Sequence, residues 1–401
     1  MKRSLHQSRP AQLTSFDEDL KLIHLFGYWG STAKSNRSRN AIFLLMSIFL
    51  MIPLILSLVD LIGDENYVRA SRAAGELMTF FMDVFSIMTI VYRKRQIELV
   101  LDKLHVMFEN MMEEDDPISR DIYNKTEAIS KKISVTMRQI MGYVTLLYCG
   151  APLSYSIYCV IFTNYAPVPF PTGFEVNFFY INIHSNVWAY VLYMSVIIPV
   201  TWITTVSVGI KDTLFINIFN HCIINFDILK HKIDQLNTIS ESEVSWHLNN
   251  YVDFHNESFE CVRILEDSIN MDLLVHYLGS ISILCLKMFV FTEVQLDGFM
   301  VVRLFIIFTY AAWEVAVFAW LGGRLTYAST QVAEAIYSAD WYDRPVYVQK
   351  TLMMILTRGQ KSSGVMVGKF FQANRKGLKR AMNSVYSYFL FIRHVYNRIG
   401  G

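Results

Sequence analysis

Apolar residues gather into long runs that alternate with charged connections, at 41–62, 70–92, 140–162, 187–210, 273–292 and 300–322. Each reaches the roughly 20 residues a helix needs to cross about 30 Å of hydrocarbon. A further run, 378–397, is interrupted by Asn383, Ser384, Ser387, Arg393 and His394, yet its stretch from Val385 to Ile392 is too apolar for water. The pattern predicts an all-α, polytopic membrane protein with seven transmembrane helices.

Composition agrees. Of 401 residues, 53% are hydrophobic and only 18% charged, and the mean hydropathy is +0.30, which excludes an ordinary soluble domain or a disordered polymer. A net charge of +1 supplies no field for nucleic acid. The cysteines, Cys149, Cys159, Cys222, Cys261 and Cys285, are odd in number and unclustered, and predict neither a disulfide scaffold nor a zinc site. No Walker lysine loop, His-Glu-x-x-His, Gly-x-Ser-x-Gly or Cys-x-x-Cys motif is present, so neither enzymatic chemistry, a cofactor nor a metal is expected. Residues 1–12 are polar and basic, unlike a cleaved leader.

Lys and Arg set the orientation, because basic connections stay in the cytoplasm. Lys2, Arg3, Arg9, Lys21, Lys34, Arg37 and Arg39 precede the first run. Basic residues from Arg93 to Arg138 follow the second; Lys211, Lys230, Lys232 and Arg263 follow the fourth; Arg324 to Arg380 follow the sixth. The loop 164–186 contains neither Lys nor Arg. The N-terminus is therefore expected in the cytoplasm and, after seven crossings, the C-terminus outside, the reverse of a G-protein-coupled receptor. Asn36, Asn124 and Asn256 begin Asn-x-Ser/Thr matches on the inner face, where they would not be glycosylated.

The inner connections have helical periodicity over 97–112, 214–236 and 244–269, and are expected to continue the spans as helices below the membrane. Residues 346–356 form an apolar helix too short to cross, preceded by Tyr337, Trp341 and Tyr342. Its apolar face packs either within the chain or against another subunit. On the seventh run, Asn383, Ser387, Phe391 and His394 share one face by spacing. Polar groups in a membrane face another helix or a water-filled cavity. Several copies about an axis would enclose a pore, with Phe391 near its constriction. Arg393 lies elsewhere on the wheel and is expected to snorkel to the outer interface.

Tyr337, Trp341 and Tyr342, then Leu352 to Leu356 with Arg358, Gln360 and Lys361, then Lys369-Phe370-Phe371 and finally Ser387-Tyr388-Phe389 resemble the insect odorant receptors. The resemblance implies a ligand-gated, nonselective cation channel in the plasma membrane of a sensory dendrite. In such a channel a tuning subunit joins the odorant receptor coreceptor (Orco) in a heterotetramer. The short connection between runs four and five lacks the long insertion typical of the coreceptor, so the chain resembles a tuning subunit. It also lacks the Thr-Tyr and Gln-Phe ending of gustatory-type receptor channels, a related alternative. A transporter would show corresponding broken helices in two halves, but Pro53, Pro152 and Pro199 do not correspond. The implied parts are a ligand-binding bundle over 1–322, a cytoplasmic anchor over 323–377 and a pore helix with a short tail over 378–401. Tyr337, Trp341, Tyr342, Leu352, Ile355 and Leu356 then anchor subunits. Asn383, Ser387, Phe391 and His394 then line the pore, with Phe391 at the gate where a smaller aliphatic residue is usual. Lys361-Ser362 stands where Lys-Pro is common.

The same resemblance places an odorant pocket in the outer half of the bundle. Met78, Phe81, Met82 and Phe85 on the second span, Tyr148, Pro152 and Tyr155 on the third, and Trp188, Tyr190, Met194 and Ile198 on the fourth fit that depth. Ile281, Phe305, Phe308 and Thr309 join them from spans five and six. An aromatic and methionine lining suits a small apolar volatile. Asp60, Glu76, Asp83, Lys287, Glu293, Arg303 and Glu314 lie in or beside the spans and are expected to be paired or to face a cavity.

Overall fold

The structure, a computed structural model, describes residues 14–28, 34–114, 116–158, 161–162, 187–293 and 298–399. The loop 164–186 and residues 1–12 lie outside them. Ten helices follow in order: α1 (Thr14–Leu25), α2 (Lys34–Gly63), α3 (Tyr67–Tyr92), α4 (Lys94–Glu113), α5 (Pro117–Tyr158), α6 (Val187–Asp234), α7 (Glu241–Glu293), α8 (Gly298–Ser338), α9 (Val346–Gly359) and α10 (Arg375–Ile399). A two-strand hairpin, β1 (Met366–Val367) and β2 (Phe371–Gln372), separates the last two. Each apolar run of the sequence falls on one of the long helices α2, α3, α5, α6, α7, α8 and α10, the run 140–162 as far as Tyr158.

Among the described residues, four helices are individually long and apolar enough to cross a membrane, or five if the two parts of α5 count as one. That helix bends by 44° between Tyr148 and Pro152, where proline removes a backbone donor. The described apolar part of α2 is shorter, and α10 owes its low hydropathy to the polar residues of one face. Asn66 starts α3 by accepting a hydrogen bond from the Arg69 backbone, 3.3 Å away, which satisfies an amide left free by the first turn.

The helix α6 is the axis of the bundle. From Val206 to Ile233 every residue is buried except Asn220, Asp227, Lys230 and His231, as expected of a helix that is apolar all round. It continues without a break far past residue 210, as do α7 through 244–269 and α8 past residue 322. Lys211 consequently lies in the core rather than in a basic loop, and Lys232 is also buried. The stretch 97–112 differs from its expectation in another way. The helix α3 stops at Arg93, whose φ of −91° and ψ of 11° are not helical. The separate helix α4 then turns its stripe of Ile97, Val100, Leu104, Met107, Phe108 and Met111 into the core.

Two close approaches fix the hairpin against α7 and α8. A Cβ at Gly322 would collide with the Ala373 carbonyl, so only glycine lets α8 meet the end of β2. The hairpin turn uses positive φ at Gly368 (55°) and Lys369 (64°), and the Gly368 amide donates to the Asn270 carbonyl of α7 at 3.0 Å. The short helix α1 is pinned beneath the bundle. Ser15 donates to Glu127 through its backbone amide at 2.5 Å and its hydroxyl at 2.8 Å. Asp19 pairs with Arg138.

Candidate functional site

A cavity of about 110 Å³ lies among α3, α5, α6, α7 and α8. Each helix contributes residues one or two turns apart, the spacing that puts side chains on a common face. From α3 come Glu76, Thr79, Phe80, Met82 and Asp83; from α5, Met141, Val144, Thr145 and Tyr148; from α6, Thr201 and Thr205. The wall is completed by His276 and Ile283 of α7 and by Ile306, Ile307, Tyr310, Ala311 and Glu314 of α8. Met82 enters through a notch at Gly279, where an added Cβ would strike its sulfur.

The cavity has two characters. Phe80, Met82, Tyr148, Ile283, Ile306 and Ile307 make an apolar body, whereas Asp83, His276 and Glu314 make a polar end. Behind that end is a buried ionic network. Lys211 Nζ donates to Asp272 Oδ2 at 2.8 Å and lies 2.9 Å from Asp212 Oδ1. Ser86 Oγ donates to Asp272 Oδ1 at 2.9 Å and meets His276 Nε2 at 2.5 Å. His276 Nδ1 in turn lies 2.6 Å from Glu314 Oε1. Charges removed from water are tolerated only when paired in this way, so the network ties α3, α6, α7 and α8 together around the cavity.

Of the sequence-predicted ligand residues, Met82 and Tyr148 line this cavity. Tyr190 and Met194 are buried just beside it in a cluster with Phe80 and Tyr148, against which Ile198 also packs. Ser156 and Tyr190 share a hydrogen bond at 3.2 Å, and Pro152 is buried on the same helix as Ser156. Met78 and Ile281 pack around Met82 in a neighbouring cluster. The others point away from the cavity. Phe81 is 45% exposed and Trp188 82% exposed, and Tyr155 and Thr309 also face outward. Phe85 is partly buried, its ring 6.3 Å from that of Phe81. Phe305 and Phe308 line a separate groove between α7 and α8 with Lys287, Met288 and Phe291.

The signal that would have found the cavity is a polar stripe at helical spacing. Glu76, Thr79 and Asp83 on α3, Thr201 and Thr205 on α6, and Tyr310 and Glu314 on α8 each recur every turn within otherwise apolar sequence.

On α10, Ala381, Val385, Phe389, Ile392 and Tyr396 face inward. Asn383, Ser387, Phe391 and His394 all lie on the opposite, exposed face, with Phe391 66% exposed. The Ser387 hydroxyl donates back to the Asn383 carbonyl at 3.0 Å. Arg393 does not simply extend to the interface: its Nε donates to Glu293 Oε1 at 3.1 Å. In the anchor region the predicted residues divide. Leu352 is 2% exposed and belongs with Ile355 to the chain's own core, against which Leu356 and Trp341 pack. Tyr337 and Tyr342 are exposed, as are Met353 and Met354 of α9.

Comparison with known proteins agrees with this architecture. The family described as 7tm Odorant receptor matches residues 67–386. Odorant receptor 30a of Drosophila melanogaster is 24% identical over 308 residues, 75% of this chain and 76% of that protein. The odorant receptor coreceptor of Anopheles gambiae is 27% identical over 144 residues, 35% of this chain and only 30% of that protein. In structure, the insect olfactory receptor OR5 from Machilis hrabei in complex with eugenol superposes with a TM-score of 0.79. That fit covers 96% of this chain and 99% of that chain at 14% sequence identity. The chain is a multi-pass membrane protein and belongs to the 7tm odorant receptor family, whose members are receptors and not enzymes.

Proposed function

We propose that this chain is the odorant-tuning subunit of a ligand-gated, nonselective cation channel that it forms with the odorant receptor coreceptor. The carrying observation is the cavity enclosed by α3, α5, α6, α7 and α8, inside a fold shared with a receptor solved with a bound small aromatic, eugenol. A small volatile buried there gains about 25 cal/mol per Å² of apolar surface. The polar end fixes its orientation.

The exposed stripe of Asn383, Ser387, Phe391 and His394 supports α10 as one wall of a central pore. Residues 1–322 then form the receptor bundle, 323–377 the anchor between subunits, and 378–401 the pore helix and outer tail. In this arrangement α8 crosses from bundle to anchor as one rod. The exposed side chains of α9, more than Leu352 and Ile355, meet the neighbouring subunit. The N-terminus is cytoplasmic and the C-terminus extracellular. Only Gln235 to Ser240 separate α6 from α7, too few for the insertion expected of a coreceptor, which favours the tuning role.

Recording from cells tests the reading. This chain with the coreceptor should give volatile-evoked cation current in the plasma membrane, and this chain alone little or none. A pair that reaches the surface and stays silent to a broad volatile panel would refute it.

A further inference from the structure

The polar end of the cavity gathers more acidic than basic side chains. Around it lie Asp83, Glu314, Asp212 and Asp272 against Lys211 and His276. Lys211 is engaged by both Asp212 and Asp272, so its charge is spent behind the wall. His276 spans from Ser86 to Glu314. Ser86 already donates its single proton to Asp272, so His276 Nε2 meets the serine oxygen as a donor. Even a fully charged His276 leaves two acids in excess. Glu76, further along α3, does not reverse the balance, because Lys287 Nζ lies against the adjacent Gly75.

The surplus is directed at the cavity. Glu314 is 1% exposed and lines the wall. Its Oε1 lies near His276 Nδ1, and neither carboxylate oxygen has a hydrogen-bond partner among the described residues. Thr201 Oγ1, on the same wall, is also buried without a hydrogen-bond partner among the described residues. Buried acceptors left unmatched are costly, and a ligand donor that meets them recovers that cost. No cluster able to hold a metal ion occurs among the described residues. Away from the acids the lining is aromatic and aliphatic, with Tyr148 and Phe80 around the space.

We infer that the cavity is tuned to small volatile amines, whose protonated nitrogen sits between Asp83 and Glu314 while the hydrocarbon fills the space beside Phe80 and Tyr148. This deepens the receptor reading and rests on it. A neutral alcohol of the same shape fills the apolar part but brings one hydroxyl proton and no charge. An ammonium brings three donors and the missing charge. Charge-assisted hydrogen bonds of this kind change affinity by roughly 10- to 100-fold.

The test uses the full chain co-expressed with the coreceptor. Current is recorded against three matched probes, benzylamine, benzyl alcohol and toluene, and against the straight-chain amines and alcohols of the same sizes. Amines should activate at concentrations at least about 10-fold below their alcohols. Glu314→Gln and Asp83→Asn should each raise the amine concentration for half response by about 10-fold or more, and move the alcohol response by less than about 3-fold. Surface labelling confirms that the variants fold, and either one suffices if the other does not reach the membrane. Alcohols or hydrocarbons that act as well as amines on the unmodified chain would overturn the amine assignment and leave the receptor reading intact. So would amine responses indifferent to both substitutions, which would mean that protons already neutralise the acids. Silence of the pair towards every volatile would count against the receptor reading itself.

Discussion

Arg393 of α10 donates its Nε proton to Glu293 at the end of α7, 3.1 Å away. The arginine is about half exposed and the glutamate partly so. An exposed pair of this type contributes about 0–1 kcal/mol. Arg393→Ala should therefore shift the ratio of open to closed channels by no more than about 5-fold. The same substitution in a Glu293→Gln background should add nothing further. Single-channel open probability in the two singles and the double gives the coupling, and independent effects would remove the link.

Phe391 presents two thirds of its surface on the exposed face of α10. Phe391→Ala should raise basal current or change ion permeability while the odorant concentration for half response stays within about 3-fold. An unaltered basal current and permeability would remove it from the gate.

The Gly279 notch holds the Met82 sulfur at the cavity wall. Gly279→Ala should push this flexible side chain into the cavity and weaken the response to the larger members of a ligand series first. A matched loss for small and large ligands would instead indicate a general packing defect. Cavity-size effects of one or two methylenes are worth about 1–3 kcal/mol, or roughly 5- to 100-fold in sensitivity.

On α9, Leu352 and Met354 are expected to separate folding from assembly. Leu352→Ala empties a buried position and should destabilise the subunit by about 2–5 kcal/mol, read as a lower melting temperature in detergent. Met354→Asp alters an exposed position. It should leave the melting temperature nearly unchanged and reduce recovery of the coreceptor on co-purification. Equal behaviour of the two would contradict the division of the helix into a core face and a subunit face.

The docking of α1 should respond to pH. Burial raises the Asp19 carboxyl from an ordinary 3.8 to about 6, against the opposing pull of Arg138. Between those values the folded chain holds a proton that the unfolded chain has released. The contribution of Asp19 to stability is thus complete below the lower value and fades as pH rises through about 6. Asp19→Asn should flatten this part of the stability profile, measured by thermal unfolding between roughly pH 4 and pH 7.5. A profile unchanged by the substitution would remove Asp19 as its source.

Much of the architecture is legible in the sequence, because lipid admits few solutions: long apolar runs must become helices. Which side of a helix faces the cavity is harder to read. Phe80 and Phe81 are adjacent and chemically identical, yet Phe80 lines the cavity and Phe81 lies on the surface. On a helix apolar all round, hydropathy carries no phase, and only the recurrent polar residues do. Lys211 illustrates the opposite difficulty. Read alone it marks the end of a span, but Asp272, sixty-one positions away, makes it a core residue. The helix α10 shows its two faces in sequence because polar and apolar residues separate cleanly there. The pairing of Arg393 with Glu293 rests on three-dimensional proximity that spacing along one helix does not encode.

The unbroken course of α7 has a mechanical consequence. It carries His276 in the cavity wall and Glu293 against α10, and the 17 positions between them span about 26 Å of rigid rod. A ligand that tilts this rod by a few degrees at its middle displaces its tip by an ångström or more. Chemical occupancy would thus reach the conduction pathway through leverage in a single stiff member, with no relay of intermediate parts.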